Sequence, residues 1–133
     1  MQDFRKLDVW KKSHELVLAT YRCIPAGTER RFPGIASQLR RAAASVPANI
    51  VEGCGHSSAK EFARFLQLAI ASANEVQYHL ILANDLGMLS STTFAKLEAR
   101  GDQVKKMLYG LQRHVRGVAR PVDPAAGQSP ANG

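Results

Sequence analysis

Apolar positions recur three and four residues apart in four blocks, and no block alternates with the period of two that a half-buried strand requires. The first block runs from about Leu7 to Ile24. Leu7, Trp10, His14, Val17, Tyr21 and Ile24 form one stripe on it, and Pro25 and Gly27 stop it. The second block, from about Ile35 to Glu52, is rich in alanine, which lets neighbouring backbones approach closely. Gly53 and Gly55 are expected to close it in the left-handed conformation. The third runs from Ser58 to about Leu86. Ser58 and Glu61 stand in capping-box register, and Gly87 is the natural stop. Its apolar residues, among them Phe65, Leu68, Ile70, Leu80 and Ile81, cover more than one face. The fourth runs from near Ser91 to about Val118. Phe94, Leu97, Gly101, Val104, Leu108, Leu111, Val115 and Val118 make its seam. Close packing is the expected reason for Gly101; Gly110 has no reason at this level.

Short connections between four long helices predict an all-α fold, an antiparallel up-down-up-down four-helix bundle over residues 1–120. Residues 121–133, "PVDPAAGQSPANG", lack periodicity and are expected to form a flexible, disordered tail. A chain of 133 residues suits one domain, with enough apolar content (45%) to build a core without staples.

The second block contains an anomaly, Pro47, where proline costs about 3 kcal/mol in a helix interior. A kink is expected there, with Asn49 or a neighbouring helix serving the freed carbonyl of Ala43. Around it, Gln38, Arg41, Ser45, Asn49 and Glu52 are spaced 3, 4, 4 and 3 apart and share a face. We expect this stripe, with Glu75 of the third helix, to be a buried polar network that fixes helix register through Arg41 and Glu52, the alternative being a ligand or catalytic site.

The stretch "QLRRAAASVPANIVEG", followed by "SSAKEFARFLQLAIASANEVQYHL", resembles the 23S rRNA intervening-sequence proteins. Gln38, Leu39, Arg40, Arg41, Ala42, Ser45, Pro47, Asn49, Ile50, Glu52 and Gly53 stand at the positions of that family's long motif. Leu7, Trp10, Leu16 and Tyr21 match its first helix; Phe65, Leu66, Ala69, Ser72 and Glu75 match its third. The family often has glycine before that serine, where this chain has Ala71. The likeness covers residues 4–90, and the fourth helix follows by pattern only. The resemblance implies a four-helix bundle that assembles into a ring-shaped homo-oligomer, a pentamer. It also implies an association with ribosomal RNA genes and a distant kinship to nucleic-acid-binding accessory subunits of retroelement reverse transcriptases. It implies no settled activity.

The formal net charge of +7 favours an anionic partner, nucleic acid before membrane. No apolar run approaches the ~20 residues of a membrane span, and the start "MQDFRKLDVWKK" lacks a signal-peptide core, so the expected compartment is the cytoplasm. On the fourth helix Lys105, Lys106, Tyr109, Arg113, Arg116 and Arg120 fall in one stripe turned away from the seam. Cations there suit phosphates and the tyrosine suits stacking on a base. The bland alternative is a solvated basic face near a helix C-terminus.

Other chemistry is thinly supported. Cys23 and Cys54 are too few for a disulfide framework and lack zinc spacing. Glu52 with His56, and Glu75 with His79, are four apart, where a di-iron bundle needs Glu-x-x-His. His14 reads as a semi-buried core histidine and His114 as a surface one. "EGCGHSS" precedes a helix N-terminus but lacks the P-loop lysine spacing. With the resemblance implying the ring and the preference for RNA over DNA, the sequence points to a noncatalytic protein without metal or cofactor that binds nucleic acid in a ring of its own copies. The alternative is a protein-interaction scaffold with an unidentified partner. A metal-dependent oxidase is a third class that metal analysis would test.

Overall fold

The computed structural model describes residues 2–119, and no strand occurs among them. A single 3-10 turn, Phe4–Lys6, leads into α1 (Asp8–Cys23). The one-turn helix α2 (Thr28–Arg31) separates it from α3 (Ile35–Cys54), and α4 (Ala59–Asp85) and α5 (Ser91–Ala119) follow. α1 packs against α3 and α5, and α4 packs against α3 and α5, so the long helices form a cycle of neighbours. The expected tail, 121–133, lies outside the described residues. No described helix is long and apolar enough to cross a membrane.

Local chemistry sets the helix ends. Ser58 Oγ accepts the Glu61 N–H at 3.1 Å and so caps α4. The Glu61 carboxylate does not complete a capping box; it takes the Arg64 Nε–H at 2.8 Å. At the other end Gly87 has a φ of 73°, and its N–H reaches the Asn84 carbonyl at 3.0 Å while the Met88 N–H reaches Ala83 at 2.9 Å. That pair of bonds is a Schellman motif, and buried Met88 seals it. α3 has no capping side chain of its own. Glu29 supplies one from α2, accepting the N–H groups of Gly34 at 2.9 Å and Ser37 at 2.7 Å.

The expected left-handed close of α3 does not occur. The helix runs on to Cys54, and neither Gly53 nor Gly55 has a positive φ. Gly53 serves packing instead. A Cβ there would stand 2.8 Å from Phe62 Cδ1 and 2.9 Å from Phe65 Cβ, both on α4. Close packing is not the reason for Gly101, whose added Cβ would meet nothing nearer than Gln77 Cγ at 4.0 Å.

The core has two parts along the helices. Leu16, Val46, Ile50, Leu66, Ile70, Val104 and Leu108 fill one, and Leu39, Ala43, Val76, Leu80, Met88, Leu89 and Leu97 the other. Alanines at 36, 42, 43, 69, 73 and 83 are buried and keep α3 and α4 close. The seam expected on α5 is buried at Leu97, Gly101, Val104, Leu108 and Val115; Phe94 and Leu111 are half-buried. On α1 the core face is rotated from the expected stripe. Val9, Ser13, Leu16 and Thr20 are buried, while His14 and Tyr21 are exposed. Ser13 and Thr20 can sit in the core because each hydroxyl donates to its own helix, to Trp10 O at 2.9 Å and Leu16 O at 2.8 Å.

Candidate nucleic-acid interface

The basic stripe on α5 is less uniform than its sequence. Lys105 is half-buried and reaches α4, where its ammonium donates to Gln77 Oε1 at 2.6 Å and Asn74 Oδ1 at 3.2 Å. Lys106 is exposed and pairs with Asp102 one turn earlier, at 3.1 Å. Tyr109 is 41% exposed, which leaves much of its ring open to a ligand. Arg113 and Arg116 are exposed, and neither makes an ion pair among the described residues. Arg120 lies outside the described residues. The stripe therefore offers two guanidinium groups without an ion pair among the described residues, on the helix face that carries Tyr109. Guanidinium forks match phosphate oxygens in pairs.

Gln112 is the feature that periodicity missed. It is 2% exposed, and its amide donates to Gln67 Oε1 at 2.8 Å and to the Ala63 carbonyl at 3.4 Å. It breaks the apolar seam of α5 and pins that helix to α4. The one signal in the sequence was its place in the seam register, between Leu108 and Val115.

The stripe on α3 divides in two. Ser45 and Asn49 form a polar cluster with α4: Ser45 Oγ lies 2.8 Å from Ser72 Oγ, and Asn49 Nδ2 donates to Ser45 O at 2.8 Å and Ser45 Oγ at 3.1 Å. Asn49 thus serves the Ser45 carbonyl, not that of Ala43, and α3 is unbroken through buried Pro47. Gln38, Arg41, Glu52 and Glu75 are exposed. The expected buried Arg41–Glu52 pair is therefore corrected. The two share a face but stand eleven residues apart, roughly 16 Å along the axis, too far to touch.

Several other titratable groups have local partners. His56 stacks on Phe65 with ring centroids 5.0 Å apart, and exposed His14 stacks on Trp10 at 5.2 Å. The ring nitrogens of His79 are buried and have no hydrogen-bond partner among the described residues. No three His, Cys, Asp or Glu side chains cluster in metal-binding range among the described residues. Burial pushes the Cys54 thiol up, with Asp3 adding to the effect, so the thiolate is disfavoured. Arg64's hydrogen bond holds the Glu61 carboxyl below the usual carboxylate range.

A family model described as 23S rRNA-intervening sequence protein matches residues 5–110. Among solved structures, the chain is similar to a protein with unknown function from the S23 ribosomal protein family of Bacteroides thetaiotaomicron VPI-5482. The TM-score is 0.71 at 23% identity, over 78% of this chain and 97% of that one. At that identity the likeness shows the fold alone. No curated protein matches.

Proposed function

The chain belongs to the 23S rRNA-intervening sequence protein family, and from that premise we propose a noncatalytic, ring-forming bundle that binds nucleic acid through the outer face of α5. RNA is favoured over DNA because the family's name ties it to ribosomal RNA. The observation that carries the reading is the exposed group of Tyr109, Arg113 and Arg116, whose cations are uncommitted within the described chain. Lys105 drops out of the binding set because Asn74 and Gln77 already hold its ammonium.

The helices alternate in direction, up-down-up-down. Cross-helix pairs support this, since numbers rise on one helix as they fall on its neighbour. Ser45 meets Ser72 while Gly53 abuts Phe62; Gln67 meets Gln112 while Asn74 meets Lys105. The ring is supported by α4, which leaves Leu68, Tyr78 and Ile81 exposed at 41%, 59% and 46%. Arg41, Glu52 and Glu75 stand exposed on α3 and α4 and provide both signs of charge for a neighbouring copy. In a ring the arginines of every copy act together, so weak attractions sum.

The test is RNA binding across a salt series. Arg113→Gln with Arg116→Gln should flatten the slope of log affinity against log salt by about 0.7 for each single-strand phosphate left without its cation. Tyr109→Ala should weaken single-strand binding by about 1–3 kcal/mol with little change in slope. Parental affinity and slope in the double variant would overturn the α5 reading and favour the scaffold.

A further inference from the structure

A groove of about 370 Å3 opens along the seam between α1 and α5, lined by Glu15, Leu18, Ala19, Arg22, Lys96 and Arg100. Three cations and a single carboxylate face it. Arg22 and Lys96 are exposed and make no ion pair among the described residues. Glu15 is the exception, lying 3.8 Å from Arg100 and 3.6 Å from Lys12. Lys96 and Arg100 each precede a stripe residue, Tyr109 and Arg113, by thirteen positions, which places them about 140° away around α5. The groove is thus a surface separate from the basic stripe.

Its lining selects among anionic ligands. Leu18 and Ala19 supply its aliphatic part and Cys23 a thiol, and the only carboxylate in its lining is that of Glu15. An acidic peptide would bring backbone N–H donors with only the Glu15 carboxylate to receive them. A sugar–phosphate strand brings acceptor oxygens for the cations and apolar sugar carbons for Leu18 and Ala19. We propose that the α1–α5 groove is a second nucleic-acid site that takes the phosphate backbone of one strand, with Glu15 restraining it by holding Arg100. This rests on the nucleic-acid reading and extends it to the opposite flank of α5.

The experiment is fluorescence anisotropy of the full chain with a labelled oligouridylate strand across a salt series. Arg22→Gln with Lys96→Gln should weaken binding and flatten the salt slope by about 0.7 for each cation removed. Glu15→Gln should do the reverse. It frees Arg100 and Lys12, so affinity should rise and the slope should steepen by about 0.7 for each freed cation that takes a phosphate. Glu15 is surface-exposed, so this gain of function does not depend on a fragile variant. If the groove double variant binds like the parent while Arg113→Gln with Arg116→Gln loses affinity, the groove is overturned and the stripe survives. Parental binding by Glu15→Gln overturns the restraint. A parent that leaves the strand unbound overturns both readings. A labelled polyglutamate of equal charge that binds as tightly, with the same losses, would assign the groove to acidic protein and overturn the proposal.

Discussion

Lys105 on α5 sets its ammonium 2.6 Å from Gln77 Oε1 on α4, and Asn74 one turn away takes a second bond at 3.2 Å. A lysine with two side-chain acceptors on a neighbouring helix is a clasp between helices. Lys105→Met should therefore lower stability by about 0.5–1.5 kcal/mol, the net worth of such bonds in a half-exposed site. The salt slope of RNA binding should stay at its parental value. Denaturant melts and a binding series on one preparation separate the two effects. A flattened slope at unchanged stability would return Lys105 to the phosphate-binding set.

Two glycines in helix interiors should respond with opposite signs. Gly53→Ala forces a methyl to 2.8 Å from Phe62 and 2.9 Å from Phe65, and overpacking of this kind costs about 1–3 kcal/mol. Gly101→Ala meets only Gln77 at 4.0 Å and replaces a poor helix former, so it should stabilise by about 0.5–1 kcal/mol. Paired urea melts decide this. A destabilised Gly101→Ala would show that the seam needs glycine there after all.

These cases show which parts of the fold the sequence carries openly. The caps at Ser58 and Gly87 are legible because their chemistry closes within a few residues. The face of α1 is not. Thr20 and Ser13 look polar in one dimension, yet a hydroxyl bonded to its own helix behaves as a small core residue. Gln112 escapes for a related reason, since its partners Ala63 and Gln67 lie 49 and 45 residues away. Helical spacing puts Lys106, Tyr109, Arg113 and Arg116 on exposed positions of α5, but whether a cation there is free depends on the helix beside it. Arg41 and Glu52 make the converse point. Sharing a face says nothing about reach when eleven residues of axis intervene.

The Glu61–Arg64 bond gives a pH signature at the start of α4. The folded chain holds Glu61 below its ordinary value, chiefly through Arg64's hydrogen bond. The ionised form is thus favoured by folding. Its contribution is complete above the unfolded value of about 4.3 and is lost as pH falls through the lower folded value. Glu61→Gln should be less stable than the parent at neutral pH, and the difference should vanish in acid. A difference constant from neutral to strongly acid pH would show that Arg64 gives the charged form no advantage.

The exposed apolar residues of α4 lead to the last prediction. Leu68 and Tyr78 are 41% and 59% exposed on a helix that already buries Phe62, Leu66, Ile70, Val76 and Leu80 in its own core. We expect the ring interface to use this helix, and Leu68 and Tyr78 are large apolar side chains it leaves in water. Glutamate at Leu68 and Tyr78 should leave the single chain folded, because neither position belongs to the core, and its circular dichroism should keep the helical signature. The same charges placed between two copies would be desolvated without partners, a cost no small interface can offset. Light scattering should therefore report an oligomer for the parent and a monomer for Leu68→Glu with Tyr78→Glu. RNA affinity should fall with it, because single subunits no longer bind one strand together and each carries two added carboxylates. A parent of monomer mass at micromolar concentration would remove the ring. A double variant that keeps the parental mass would move the interface off this face of α4.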